Sequence, residues 1–93
     1  AGAEVQPIPT SLAQALGLPE AGFRISRLYR DGPLEAAGAR VGDLVVALDG
    51  EPLRPLNDKD ETSFAQRVRE LDAGTDAQVD LVRDGRRLRL TLT

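Results

Sequence analysis

Alternating apolar and polar positions predict β-strands, because successive side chains of a strand point to opposite faces. A first strand over residues 3–8 contains one proline and is followed by another, which favours a sheet edge, since proline cannot donate to a ladder. A second strand over residues 23–28 slips by one position between Ile25 and Leu28, which predicts a bulge or a bend. Residues 44–48 are apolar at every position and predict a buried central strand.

Two Asp-Gly pairs indicate tight turns. Asp49-Gly50 follows the buried strand, and residues 51–59 after it are predicted to be loop, because they contain two prolines and no periodicity. Asp84-Gly85 lies between two alternating segments and therefore predicts a closing hairpin. The apolar residues of that hairpin are Val79, Leu81, Leu88, Leu90 and Leu92.

Two short helices are predicted between the strands. The first covers residues 12–16, with Thr10 or Ser11 as its N-cap and Gly17 ending it in a left-handed conformation. The second, over residues 33–37, has one or two turns, because Pro33 suits its first position and Gly38 the position just past its end.

A longer amphipathic helix is predicted between the buried strand and the closing hairpin. Acidic residues precede it, and negative charge at a helix N-terminus complements the helix dipole. Four apolar residues follow at positions i, i+1, i+4 and i+7 of a helical stripe. They are Phe64, Ala65, Val68 and Leu71.

The order of elements predicts an α+β fold in a single domain over residues 1–93. The connections are too short for parallel crossovers, so the sheet is expected to be small and mostly antiparallel. It would form a sandwich or a partly open barrel, capped by one long and one very short helix.

The composition excludes most catalytic and metal chemistry. The chain has no Cys, His or Met, so it lacks thiolate and imidazole ligands and the base of a Ser/His/Asp triad. Asp43 is assigned to a turn before the buried strand, and the cluster of Asp58, Asp60 and Glu61 lacks the pattern of a calcium loop. We therefore expect no cofactor, no metal and no enzymatic activity in this chain.

The charge pattern argues against nucleic acid as a partner. The net charge is -3, both signs are interspersed, and only three aromatic residues are present. A cluster on the closing hairpin is predicted to be a solvated face, with an anionic partner as the alternative. It comprises Arg83, Arg86, Arg87 and Arg89. No apolar run approaches a membrane span, so direct insertion of this segment is not expected.

The chain resembles a PDZ domain of the bacterial, circularly permuted type, most like those of HtrA/Deg-family serine proteases. Residues 2–8 and 12–16 are similar to the first strand of the family and its cap. The next strand of the family is similar to residues 23–28, and its small-residue helix, Gly-Asp step and buried strand are similar to residues 31–50. The closing hairpin of the family is similar to residues 81–92. This resemblance covers nearly the whole chain.

The resemblance implies that an extended peptide or a protein C-terminus adds as a strand beside the first strand, facing the long helix. Gly2 lies where a loop of the family holds the terminal carboxylate, and Ala3 is smaller than the usual residue there. No His begins the long helix, so an apolar last ligand residue is expected. The implied peptide-binding residues are Gly2, Ala3, Glu4, Val5, Phe64, Ala65, Val68 and Leu71, although the helical stripe could equally be core.

By the same resemblance, the chain is a module of a larger bacterial protein, expected to be an HtrA-like serine protease of the cell envelope or periplasm. It would present substrate or regulate the protease, whose own domain could also be a partner. The alternatives are a PDZ module of a processing peptidase, a site-2 metalloprotease or a secretion component, or a docking domain that binds no free C-terminus.

Overall fold

A computed structural model describes residues 3–30, 32–55 and 76–92 of the chain. In these ranges six strands form one antiparallel sheet in the order β1-β2-β3-β5-β6, with β4 paired to β3. The α+β prediction is confirmed, and the sheet is open rather than a closed barrel. The predicted long helix lies outside the described residues. The elements are β1 (Ala3–Ile8), α1 (Thr10–Ala15), β2 (Gly22–Leu28), α2 (Pro33–Ala37), β3 (Leu44–Leu48), β4 (Glu51–Pro52), β5 (Ala77–Arg83) and β6 (Arg86–Leu92).

Strand β3 is central, as its unbroken apolar run predicted, and all five of its residues are buried. Its side chains contribute to apolar clusters on both faces of the sheet. Val45 and Leu48 pack with Phe23 in the larger cluster, whereas Leu44 and Val46 pack with residues of β1 and α1. Burial on both faces is typical of a central strand, and β3 lies in the middle of the strand order. Strand β1 lies at one end of that order.

The predicted bulge is present in β2. Glu4 pairs with Arg27 and Val5 with Ile25, so Ser26 is the extra residue between two successive pairs. The Ser26 hydroxyl donates to the backbone oxygen of Glu4 at 3.1 Å. The slip in the hydrophobic pattern therefore reports a real change of register between β1 and β2.

Both Asp-Gly pairs form hairpin turns with positive φ at each residue. The angles are 49° and 80° at Asp49-Gly50 and 52° and 77° at Asp84-Gly85, as a type I′ turn requires. The loop prediction for residues 51–59 is wrong at its start, because the first of these turns returns the chain against β3 and forms β4. A two-residue strand is too short to show a periodicity in the sequence.

Helix α1 covers Thr10–Ala15 and not the predicted residues 12–16, so both of its ends lie earlier in the chain. Helix α1 begins at Thr10 with Pro9 as its N-cap and without a side-chain capping hydrogen bond, so the predicted capping by Thr10 or Ser11 is wrong. Pro9 is extended, and its carbonyl already accepts the first helical bond from Ala13 at 2.9 Å. The left-handed Gly17 and the end of α2 are as predicted.

Candidate functional site

Strand β1 occupies one end of the strand order and pairs with β2 along one edge only. No strand in the described part of the chain covers its other edge. An uncovered edge strand offers backbone N–H and C=O groups to another chain. This edge carries Ala3, Glu4 and Val5, three of the residues predicted to bind a peptide.

The backbone groups of Val5 point to the outer edge of the sheet. Val5 is paired with Ile25, but the Ile25 N–H donates to the Asp43 oxygen at 2.8 Å and its C=O accepts from Gly42 at 2.8 Å. Both polar groups of Ile25 are therefore directed away from β1, which makes Val5 and Ile25 a pair without mutual hydrogen bonds. The N–H and C=O of Val5 must then point away from β2.

The same alternation applies to the neighbours of Val5 in β1. The Glu4 carbonyl accepts from Ser26 and so faces β2. Ala3 lies two residues before Val5, and its N–H and C=O consequently share the outward direction of Val5. Ala3 and Val5 thus present two donor and acceptor sets at the outer edge of the sheet.

The side chains of β1 also divide between two faces. Ala3 and Val5 are partly buried and pack against the larger apolar cluster, whereas Glu4 and Gln6 are exposed. A strand added beside β1 would place alternate side chains on these two faces. Those on the face of Ala3 and Val5 would meet apolar surface, and those on the other face would meet polar groups.

Glu4 belongs to a small polar network on the exposed face. The Tyr29 hydroxyl donates to Glu4 Oε1 at 2.9 Å, and Arg27 Nη1 lies 3.9 Å from the same oxygen. The Arg27 guanidinium also lies over the Tyr29 ring, 5.5 Å from its centroid. The hydrogen bond to the Glu4 carboxylate raises the pKa of Tyr29, because it stabilises the protonated phenol. The network links β1 to the end of β2.

The predicted binding residues are only partly described. Ala3, Glu4 and Val5 lie together on the outer strand, whereas Gly2 and the whole helical stripe lie outside the described residues. Tyr29 was not predicted as a neighbour of this edge, since its partner Glu4 is distant in sequence and no local pattern signals the contact. The stripe comprises Phe64, Ala65, Val68 and Leu71.

The arginines of the closing hairpin were predicted to be a solvated face, and Arg86, Arg87 and Arg89 are exposed. Three of the four arginines also donate hydrogen bonds to buried carboxylates. Arg83 donates hydrogen bonds of 2.9 and 2.7 Å to Asp43, a residue that is only 2% exposed. Arg87 and Arg89 both donate to Asp80, which is 5% exposed. Burial of a carboxylate requires such partners. The sequence did not reveal these contacts because the acids come from elsewhere in the chain or lie across the hairpin.

The described ranges offer no group of three or more carboxylates that could hold a metal ion. Neither described helix has the length and apolar character needed to cross a bilayer. The buried carboxylates Asp43 and Asp80 are both engaged by guanidinium groups. Strand β1 itself offers the outward N–H and C=O groups of Ala3 and Val5, with an apolar face and a polar face beside them.

Comparison with known families gives a match to the model of the PDZ domain over residues 10–93. A probable periplasmic DegP-like serine endoprotease of Rhizobium meliloti (strain 1021) is 40% identical over 86 residues, which cover 91% of this chain and 16% of that protein. Its counterpart in Ectopseudomonas mendocina (strain ymp) is 33% identical over 93 residues, covering 99% and 19%. The chain thus spans less than a fifth of the length of these two relatives.

Solved structures show the same fold. The HtrA-type protease AlgWS227A with decapeptide superposes with a TM-score of 0.77 at 28% identity, covering 98% of this chain and 26% of that one. The HtrA3 PDZ domain bound to a phage-derived ligand (FGRWV) gives 0.73 at 18% identity, covering 99% and 80%, which supports the fold alone.

Proposed function

The chain belongs to the PDZ domain family, and we propose that it binds extended peptides or apolar protein C-termini by strand addition to β1. The observation that carries the proposal is the outward direction of the N–H and C=O groups of Val5, inferred from the bonds of Ile25 to the opposite side of the sheet. An added strand would satisfy these groups, and backbone pairing supplies affinity with little demand on ligand sequence.

The site has two faces that would contact the ligand differently. Ala3 and Val5 continue the apolar cluster of the sheet, so inward ligand side chains would be apolar. Gly2 would contribute to the carboxylate loop, and the stripe of the long helix would form the opposite wall. That stripe comprises Phe64, Ala65, Val68 and Leu71.

We further propose that the chain is a non-catalytic module of a periplasmic HtrA-like serine protease. Support comes from relatives named as periplasmic serine endoproteases, of which the chain spans a small part. The pairing of Asp43 and Asp80 with arginines argues against a role for these acids in catalysis. In such a protein the domain would present substrate to the protease domain or regulate it.

Val5→Pro provides a sharp test of strand addition. Proline removes the N–H that points to the outer edge but leaves the bonds between β1 and β2, which do not use it. We expect the variant to fold and to lose about tenfold or more in affinity for a peptide with an apolar free C-terminus, since the ligand carbonyl is left without a donor. Fluorescence anisotropy of a labelled peptide measures the loss.

Val5→Ala is the matched control, because it shortens the side chain but keeps the N–H. It should lose much less affinity than Val5→Pro. Equal losses in the two variants would show that the side chain and not the backbone edge holds the ligand. No binding by the unmodified chain would favour a docking domain that does not capture free peptides.

A further inference from the structure

A cavity of about 550 Å³ lies beside β3, where two strands share one edge of that strand. Strand β5 pairs with Ala47 and Leu48 from one side, so β4, which pairs with the same two residues, lies on the other edge. Strand β2 also uses this other edge, and its pairing reaches Val45. The start of β2 therefore faces the end of β4 across this part of the sheet.

The buried part of the cavity lining is apolar. Val46 and Ala47 of β3 contribute to it, together with Leu53, whose N–H donates to the Val46 oxygen at 2.8 Å. These three residues are at most 3% exposed. The volume falls within the range of about 300–1,000 Å³ that is typical of small-ligand sites. The cavity can therefore hold a short apolar group against the sheet.

Arg87 brings a positive charge to this cavity from the far side of the sheet. It belongs to β6, but its Nη1 donates at 2.6 Å to Oε2 of Glu20, which lies before β2. Its Nη2 donates to Asp80 Oδ2 at 3.2 Å. The side chains of Arg87 and Glu20 are 51% and 36% exposed, so solvent screens their ion pair and the pair contributes little to stability. A carboxylate thus already binds this guanidinium, and another carboxylate can replace it at little cost.

Arg54 is the second cation of the lining, and it is exposed. Among the residues that the structure describes, no carboxylate is paired with Arg54. Glu20 is the one carboxylate of the described lining, and Arg87 already binds it. The lining therefore carries an excess of positive charge, although the net charge of the chain is -3.

We propose that this cavity is a second ligand site, which binds a carboxylate between Arg54 and Arg87. A guanidinium group presents five N–H donors and pairs well with carboxylate oxygens, so two guanidinium groups can bind one carboxylate together. The apolar part of the ligand would lie against Val46 and Ala47. Small organic acids have this chemistry, and so do the acidic side chains of a partner protein.

The proposed site differs from the edge of β1 in position and in chemistry. Val46 belongs to the smaller apolar cluster, whereas Ala3 and Val5 pack against the larger one. The edge of β1 offers backbone groups, whereas the cavity offers charged side chains. Arg87 belongs to the basic cluster of the closing hairpin, for which the sequence left an anionic partner as an alternative. A carboxylate ligand would be that partner, whether or not β1 binds a peptide.

Two acids and their neutral twins test the site by NMR titration of the chain. Butyrate represents a small organic acid, and the α-amide of N-acetylglutamic acid represents an acidic side chain. Both acids should shift the amide signals of Ala21 and Ala47, which line the cavity, with dissociation constants of about a millimolar or weaker. Butyramide and the α-amide of N-acetylglutamine should cause much smaller shifts, because they lack the charge.

Two variants connect the shifts to the charged groups of the cavity. Arg54→Ala removes a guanidinium group and should weaken the binding of both acids about threefold or more. Glu20→Gln removes the competing carboxylate and should strengthen their binding about threefold. Arg86→Ala and Asp84→Asn are the matched controls, since they change the same charges outside the lining. They should alter the affinities by less than about 1.5-fold, because solvent and salt screen distant charges.

The relative affinities of the two acids identify the source of the carboxylate. Tighter binding of butyrate would indicate a small organic acid, and tighter binding of the glutamate derivative would indicate an acidic side chain of a protein. Both results support the site. The proposal is overturned if neither acid shifts the Ala21 and Ala47 signals, if the neutral twins shift them equally, or if Arg54→Ala and Arg86→Ala weaken binding alike.

Discussion

Arg83 and Asp43 form a bidentate pair that joins distant parts of the chain. Arg83 Nε donates to Oδ1 at 2.9 Å and Nη2 donates to Oδ2 at 2.7 Å. Nη2 also donates to the Gly38 carbonyl at 3.0 Å, and the Arg40 amide donates to Asp43 Oδ2 at 2.8 Å. A single ion pair thus ties the end of α2, the entry to β3 and the closing hairpin together.

Replacing Arg83 by leucine should destabilise the protein strongly. The Asp43 side chain is 3% exposed, whereas that of Arg83 is 23% exposed, so the substitution leaves a buried carboxylate without its cation. We expect Arg83→Leu to lower the free energy of unfolding by about 3 kcal/mol or more. Urea denaturation followed by circular dichroism measures the change.

Two other variants calibrate that result. Arg86→Leu, at an exposed position of the same hairpin, should change stability by less than about 0.5 kcal/mol. Asp43→Asn should cost less than Arg83→Leu, because the freed guanidinium can turn towards solvent while the amide still accepts hydrogen bonds. A loss at Arg86 as large as that at Arg83 would contradict a specific role for the pair.

Asp80 should make part of the stability dependent on pH. The hydrogen bond from Arg89, assisted by Arg87, lowers the pKa of Asp80 below its ordinary value of 3.8, although burial acts in the opposite direction. A carboxyl whose pKa is lowered by folding stabilises the native state fully above the unfolded pKa, and this contribution is lost as the pH falls through the folded value. Arg89→Leu should therefore lower the free energy of unfolding at neutral pH. Acidification should then lower the free energy of unfolding less in this variant than in the native protein.

The stability curves of the native protein and of Arg89→Leu should converge below a pH of about 4. Urea denaturation at a series of pH values gives both curves. The free energy of unfolding of Arg86→Leu should differ from that of the native protein by the same small amount at every pH in this range. A constant difference between Arg89→Leu and the native protein at every pH would show that the arginine acts through packing and not through the charge of Asp80.

Gly22→Ala should disturb the contact between β2 and β3. A Cβ at this position would lie 2.3 Å from the Val45 backbone oxygen, which cannot move without opening the ladder. We expect a loss of about 3 kcal/mol or more. Gly85→Ala, where φ is 77° but the added carbon meets nothing within 4 Å, should cost only about 1–2 kcal/mol of conformational strain. The thermal midpoints of the two variants should rank accordingly.

Tyr29 provides a spectroscopic probe of the outer strand, because it is the one tyrosine of a chain that has no tryptophan. Its pKa is raised by the hydrogen bond to Glu4, so ultraviolet titration of the phenol should give a midpoint above the ordinary 10.0. Glu4→Gln should move the midpoint downward. Glu20→Gln removes a carboxylate that binds Arg87, and it should leave the Tyr29 midpoint unchanged. An equal shift of the midpoint in both variants would contradict the specific contact between Tyr29 and Glu4.

Local patterns predicted much of the fold. The apolar run of β3, the Asp-Gly turns and the slip at Ser26 all record constraints that act between near neighbours in the chain. Strand β4 was missed because two residues cannot display a period, and the capping of α1 was misassigned because the carbonyl of Pro9 already accepts the first helical bond.

The candidate site was predicted less completely. The resemblance to a family indicated β1, but which backbone groups face outward depends on the bonds between Ile25 and the residues before β3. The burial of Asp43 and Asp80 likewise depends on arginines that the fold brings to them. Such relationships are set by register and by tertiary contact, which a single sequence does not display.

An amide-resolved NMR titration tests peptide capture at β1 most directly. The account predicts that a short peptide with an apolar free C-terminus shifts the amide signals of Ala3 and Val5 and slows the exchange of the Val5 amide. The amidated twin of the peptide should have a much weaker effect, because the terminal carboxylate is lost. Unchanged Ala3 and Val5 signals at saturating peptide, or shifts confined to surfaces remote from β1, would contradict the account.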